Sequence, residues 1–131
     1  MIIKHAEEVP QDEVVMEGAA GCRVRWLVGE GDRAPNFAMR EFELEPGGHT
    51  PHHVHPYEHE IYVLEGEGCI VDGAFERPLR AGDVVFVAPD DTHQFRNTGV
   101  TTFRMLCLIP NSAADKKVTV IPECGLEVVR P

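Results

Sequence analysis

The sequence predicts an all-β sandwich or barrel, and three observations carry the prediction. Short apolar or alternating runs recur along the chain, Gly and Pro clusters punctuate them at roughly eight- to twelve-residue intervals, and no useful stretch repeats with the 3.6-residue helical period. A 131-residue chain that is 43% hydrophobic can bury a sizeable core without staples. The chain therefore reads as one domain over residues 1–131, with a core at about 22–110 and terminal strands left for sheet extension or dimer contacts.

Taken in order, residues 14–16 (VVM) form a short strand ahead of Gly18-Ala19-Ala20-Gly21. Residues 22–28 (CRVRWLV) alternate, with Val24 and Trp26 on the face of Cys22 and Arg23, Arg25 and Leu27 on the other. After the turn at 29–32, residues 37–44 (FAMREFEL) form the next strand, ended by Glu45-Pro46-Gly47-Gly48. Residues 61–64 (IYVL) read as a buried strand turned by 65–68, and 69–71 as a strand closed by the hairpin signal Asp72-Gly73. Residues 74–79 lead to a turn at 80–83, and 84–88 (VVFVA) form a continuous apolar strand closed by Pro89-Asp90-Asp91. Strands follow at 93–97 and 101–109, then a helical turn at 112–116, with strand-like pieces at 118–121 and 126–129.

Charge and cysteine usage narrow the function classes. Twelve basic against 22 acidic residues give a net charge of −10 and a pI near 5.0, which disfavours nucleic acid and anionic membrane as partners. Cys22, Cys69, Cys107 and Cys124 are widely spaced with no CxxC, so neither a zinc knuckle nor a disulfide framework is expected. The amino terminus, MIIKHAEEVP, has no apolar signal core, and no run approaches a membrane span. The expected location is cytoplasmic.

Histidine is concentrated in GGHTPHHVHPYEHEIYVLEG, residues 47–66, which holds five of the seven: His49, His52, His53, His55 and His59. His53 and His55, two apart, share a face on an extended strand, and Pro56-Tyr57-Glu58 allows His59 to return to that face. Converging imidazoles make a metal site, with a further ligand expected from His93. Glu60 is the rival to His59, although alternation points it the other way. His49 and His52 read as turn or surface groups, and His5 as exposed. Four buried imidazoles without an ion would leave many polar nitrogens to satisfy.

Two spaced motifs give the chain a family resemblance. Gly47, His53-Val54-His55, His59 and Gly66 fit the spacing G-x5-H-x-H-x3-x-x6-G, and Gly82, Pro89, His93 and Asn97 fit the second signature of the same family, with Ala88 for its proline and Asp90 for its glycine. The chain resembles the cupins, whose fold is a double-stranded β-helix or jelly-roll barrel. His59 stands where the commoner first motif has glutamate. In this the chain resembles small single-domain cupins with a four-histidine, often manganese-bound site, from MIIKHAEEV through APNFAMREF, EPGG and FRNT to CLIP. The resemblance implies His53, His55, His59 and His93 as ligands and Mn2+ as the ion; imidazole ligands by themselves leave Fe2+, Zn2+, Ni2+ and Cu2+ open. It also implies a homodimer formed by edge strands, with 117–129 or 14–28 as the candidate segments.

Four imidazoles keep the ion's full positive charge and leave two adjacent positions on an octahedral ion, for water, dioxygen or a bidentate enolate, keto acid or diol. The leading expectation is an oxygenase or oxidase, a metal-dependent oxidoreductase acting on a small organic molecule. The alternatives are an isomerase or decarboxylase using the ion as a Lewis acid, and a non-catalytic module that binds metal or a small ligand. Pocket candidates are Arg40, Phe95, Met105 and Cys107. Phe103, Met105, Cys107 and Ile109 share one strand face, and Arg40 reads equally as an inward charge or a surface ion pair. No residue stands out as a general base.

Overall fold

The computed structural model describes residues 1–111 and 118–120, together with a strand at 128–130. Through the described residues run β1 (Asp12–Glu13), β2 (Ala20–Val28), β3 (Phe37–His49), β4 (His53–Val54), β5 (His59–Glu65) and β6 (Glu67–Asp72). They are followed by β7 (Phe75–Arg80), β8 (Val84–Val87), β9 (His93–Asn97), β10 (Phe103–Pro110), β11 (Val118–Val120) and β12 (Val128–Arg130). Single 3-10 turns lie at Ala6–Glu8 and Glu30–Asp32. The fold is all-β, a curled antiparallel sheet of jelly-roll type. One run of strands is β1-β2-β3-β10-β5-β8 and the other is β12-β11-β4-β9-β6-β7, joined where His49 of β3 pairs with Arg96 of β9.

Alternation sorts the side chains of the first run into inner rows. Cys22, Leu44 and Phe103 lie side by side in register, then Val24, Phe42, Met105 and Val63, then Trp26, Arg40, Cys107 and Ile61. Leu44, Phe103 and Val63 are fully buried and Met105 and Cys107 nearly so, so the sequence's expected faces for Cys22–Trp26 and for Phe103–Ile109 are those observed. The outer rows carry charge, as in the Arg25–Glu41 and Arg25–Glu43 pairs at 3.2 and 3.4 Å.

Several boundaries differ from expectation. β3 does not stop at residue 44: it turns a corner through Glu45–Gly48 and re-pairs at His49. Leu44 opposes Cys22 and His49 opposes Ala20, so the long strand carries extra residues opposite Gly21, a bulge bent by Gly47 at φ +81°. Residues 14–16 are not a strand. Pairing stops at β1 after one more bond, Val14 N–H to the Cys22 carbonyl at 2.9 Å, and the chain then turns so that Ala19 N–H meets the Met16 carbonyl. The hairpin turn is Gly73-Ala74, with Asp72 still paired to Phe75.

The apolar run at 84–88 ends at Val87 and is an edge strand, paired on one side to β5 and leaving Val84 71% and Phe86 61% exposed. An apolar run records no information about which face is covered. β11 lies on its own chain's β4, Val120 opposite His53. The expected turn at 112–116 and the whole of 121–127, Cys124 included, lie outside the described residues.

The motif residues outside the histidines are turn formers. Asn97 donates to the carbonyls of Leu44 and Thr101, both at 2.8 Å, and accepts from Gly99 N–H at 2.9 Å, closing the β9–β10 connection. Asp90, standing for the motif's glycine, adopts φ +68° and donates its N–H to the His55 carbonyl at 2.9 Å. Gly66, between β5 and β6, has φ +88°, and a Cβ there would lie 2.4 Å from the Thr102 carbonyl oxygen. A Gly66→Ala variant should lose about 1–3 kcal/mol of stability, because it meets both an unfavourable φ and immovable backbone. Urea unfolding checks this: the midpoint should fall while the slope of the transition stays constant.

Candidate metal centre

Local backbone aims the histidines. β4 is only two residues long, held between β9 and β11, and it places His53 opposite His93. His55 follows directly, Pro56-Tyr57-Glu58 reverses the chain, and His59 is the first residue of β5. The His55 ring lies flat on Tyr57, with ring centroids 3.9 Å apart and planes 6° from parallel. His55, His59 and His93 are buried, His93 to 2% exposure, and His53 is half-buried.

Three of the rings are anchored through Nδ1 to a backbone carbonyl two residues away: His53 to Pro51 at 2.7 Å, His55 to Tyr57 at 2.8 Å and His93 to Asp91 at 2.7 Å. A carbonyl only accepts, so each Nδ1 carries the proton and each Nε2 presents a lone pair. The ligand atoms of His53, His55 and His93 lie within 4.8 Å of one another, a group able to hold an ion. His59 packs against the same cluster, its Nε2 2.8 Å from His93 Nε2.

That close pair has two consistent proton arrangements. Without an ion, His59 Nε2–H donates to His93 Nε2, and His59 Nδ1 accepts the Cys107 thiol proton across 3.0 Å. With an ion, both Nε2 atoms present lone pairs to it and His59 Nδ1–H donates to the Cys107 sulfur instead. A separation of roughly 3 Å is what two adjacent ligands about 2.1 Å from one ion would have.

The electrostatics suit neutral ligands. Burial first, and then the neighbouring imidazoles, holds His53 well below the usual histidine range, and His59 is lowered by the same causes. Burial also lowers His55, and it brings His93 down to about 4. All four rings are thus uncharged at neutral pH, the form that binds metal. Burial raises the Cys107 thiol, against the pull of the Arg40 guanidinium, whose Nη2 donates to its sulfur at 3.1 Å.

His53, His55 and His59 line a cavity of about 490 Å³ with Thr50, Tyr57, Arg40, Trp26, Phe42, Ile61, Phe95, Met105 and Cys107. The four expected pocket residues, Arg40, Phe95, Met105 and Cys107, are therefore together in it. Arg40 points inward, with no carboxylate partner among the described residues. Val14, Val15 and Met16, expected as a strand, instead supply cavity wall. Tyr57, Trp26 and Phe42 were not singled out by sequence as pocket residues, although Trp26 shares the face of Cys22 and could have been found by that alternation. Glu60 is excluded from the site: it lies on the outer face of β5 opposite Phe86 and Leu108, hydrogen-bonded to Glu58, which raises its carboxyl.

His5 is exposed and accepts from Glu7 N–H. His49 is half-buried beside Thr50 and Gln94. His52 lies part-exposed in the connection before β4, with its Nε2 buried and without a hydrogen-bond partner.

A jelly-roll barrel with inward histidines contributed by two spaced motifs defines a class, and comparison places the chain within it. Residues 40–109 match the cupin domain family, and the chain belongs to that family. It is 32% identical over 114 residues to an oxalate-binding protein of Thermotoga maritima, covering 83% of this chain and 93% of that one. It is 28% identical to auxin-binding protein 1 of Arabidopsis thaliana, over 82% of this chain and 58% of that one. Among solved structures it resembles the polyketide cyclase RemF of Streptomyces resistomycificus, with a TM-score of 0.81 and 34% identity over 85% of this chain and 80% of that one.

The depressed histidines give the metal-free protein a definite pH response. The folded state keeps His93 neutral down to about 4, whereas the unfolded chain protonates it near 6.5. Between those values the unfolded state binds more protons, so stability is fully present above 6.5 and lost as pH falls toward 4. Thermal unfolding of chelator-treated protein should show its steepest decline in that window, and a His93→Asn variant a shallower one.

Proposed function

We propose that this cupin is an oxygenase or oxidase acting on a small organic substrate, with one divalent ion held by His53, His55, His59 and His93. The observation that carries the proposal is the composition of the site. Three neutral imidazoles, His53, His55 and His59, line an apolar cavity with His93 packed behind them, and none of its described lining residues is Asp, Glu, Lys or Ser. Burial raises both the Cys107 thiol and the Tyr57 phenol, and His59 and Arg40 engage the thiol, which favours the ion over these side chains as the reactive centre. A manganese or iron ion in such a site supplies dioxygen activation.

The chain's own residues bind, orient and shield. The carbonyls of Pro51, Tyr57 and Asp91 fix the three Nδ1–H tautomers, and the Cys107 sulfur holds the His59 ring in place through Nδ1. Phe95 closes on both His59 and His93 edge-on, at 6.4 and 6.1 Å between ring centroids, and keeps water from that side of the cluster. Met105 and Ile61 extend the apolar wall over which a substrate would lie.

Oxygen-electrode assays with manganese- or iron-loaded protein test this. A panel of enol and keto-acid substrates should include one that drives oxygen uptake, and His59→Ala should lower the rate at least about tenfold. Turnover that continues unchanged under nitrogen would replace the oxidase with Lewis-acid chemistry, which the likeness to the polyketide cyclase favours. Tight ligand binding without turnover would support a binding module, which the likeness to the oxalate-binding protein favours.

We also propose a homodimer. The open edge β8 presents Val84 and Phe86 beside the part-exposed Tyr62 and Leu108 on one outer face, an arrangement that a second copy would cover. Sedimentation at micromolar concentration should show the dimer, and Phe86→Lys should shift it to monomer; a monomeric wild-type chain would contradict this.

A further inference from the structure

Arg40 has a setting that the metal site does not explain. It sits in the inner row between Trp26 and Cys107 on a strand whose neighbouring rows are apolar. Its guanidinium lies 5.2 Å from the Trp26 ring centroid and 4.8 Å from that of Phe42. Nη2 donates to Cys107, a weak sulfur acceptor, at 3.1 Å, while Nε is buried without a partner. Arg25, one position along on the opposite face, is neutralised by both Glu41 and Glu43. Arg40 lines the histidine cavity, in which no described lining residue is a carboxylate.

An inward guanidinium with an unsatisfied N–H costs stability unless something completes it. Cation–π contact with two aromatic rings holds the guanidinium in place, and its N–H donors match a carboxylate. The remaining walls, with Val14, Val24, Ile61 and Met105, reward apolar surface. An anion satisfying both is flat and mostly carbon.

We propose that the cavity takes an aromatic or conjugated monocarboxylate, its carboxylate held by Arg40 and its carbon skeleton lying between Trp26 and the histidine cluster. This deepens the functional proposal above and rests on it for the substrate's role, but not for its binding. Small dianions lose the apolar contacts, and neutral analogues leave Arg40 unpaired.

Isothermal titration calorimetry tests this with cinnamate, cinnamamide and oxalate, against manganese-loaded and metal-free wild type and an Arg40→Gln variant. Wild type should bind cinnamate about ten- to hundredfold more tightly than cinnamamide, the scale of one charge-assisted hydrogen bond. Arg40→Gln should erase that preference while retaining its metal by elemental analysis.

Equal affinity for acid and amide, or tighter binding of oxalate than cinnamate, would overturn the proposal in the wild-type protein alone, whatever the variant's fold. Cinnamate binding that survives Arg40→Gln but disappears with the metal would place the carboxylate on the ion instead and also overturn it. Arg40-dependent cinnamate binding in a chain that retains no metal would uphold the proposal while refuting the metal-dependent function.

Discussion

The Nδ1 hydrogen bonds from His53, His55 and His93 to their own loop carbonyls are the constraint on which the site depends. Each partner is two residues away, so the direction of each ring is set by the local path of the backbone. That path is held from outside: Thr50 N–H meets the Phe95 carbonyl and Phe95 N–H meets the Thr50 hydroxyl, both at 2.9 Å, while Asp90 N–H caps the His55 carbonyl. Burial then makes charging the rings unfavourable, so for these three rings tautomer and protonation state agree on the same outcome, Nε2 lone pairs turned inward. His59 is the exception in its partner, a cysteine sulfur in place of a carbonyl, and through that sulfur it is joined to Arg40.

The barrel around this cluster is graded in polarity. Its inner rows pass from Cys22, Leu44 and Phe103, closed and apolar, to Trp26, Arg40 and Cys107, where a cation and a thiol enter the cavity wall. One strand, β3, supplies a member of each of these rows and then, past its bulge, delivers His49 to the other half of the sheet. The corner therefore does two things: it closes the packed end and carries the chain into the histidine loop.

What was legible in the sequence was what depends on local spacing. HxH puts two imidazoles on one side whatever the strand length, and alternation along 59–65 sends His59 inward and Glu60 outward, as observed. The length of β3 was not legible, because Glu45-Pro46-Gly47-Gly48 has the composition of a turn and becomes a bulge only when Ala20 and Arg96 are there to pair with His49. The exposed edge at Val84 and Phe86 was invisible for a related reason: an apolar run looks alike in the middle of a sheet and at its border. Arg40 could face either way until the register set it beside Cys107. Val14–Met16 became cavity wall because pairing with β2 ends after Val14 and the chain turns through Met16–Ala19, an ending that the apolar run itself does not report.

X-ray absorption spectroscopy on untagged protein loaded with manganese tests the central claim most directly, since it counts the imidazoles on the ion. One ion per chain with scattering from four imidazoles, falling to three in His59→Ala, is the expected result. Fewer than four imidazoles in the wild type, or no ion retained after gel filtration, would contradict the account.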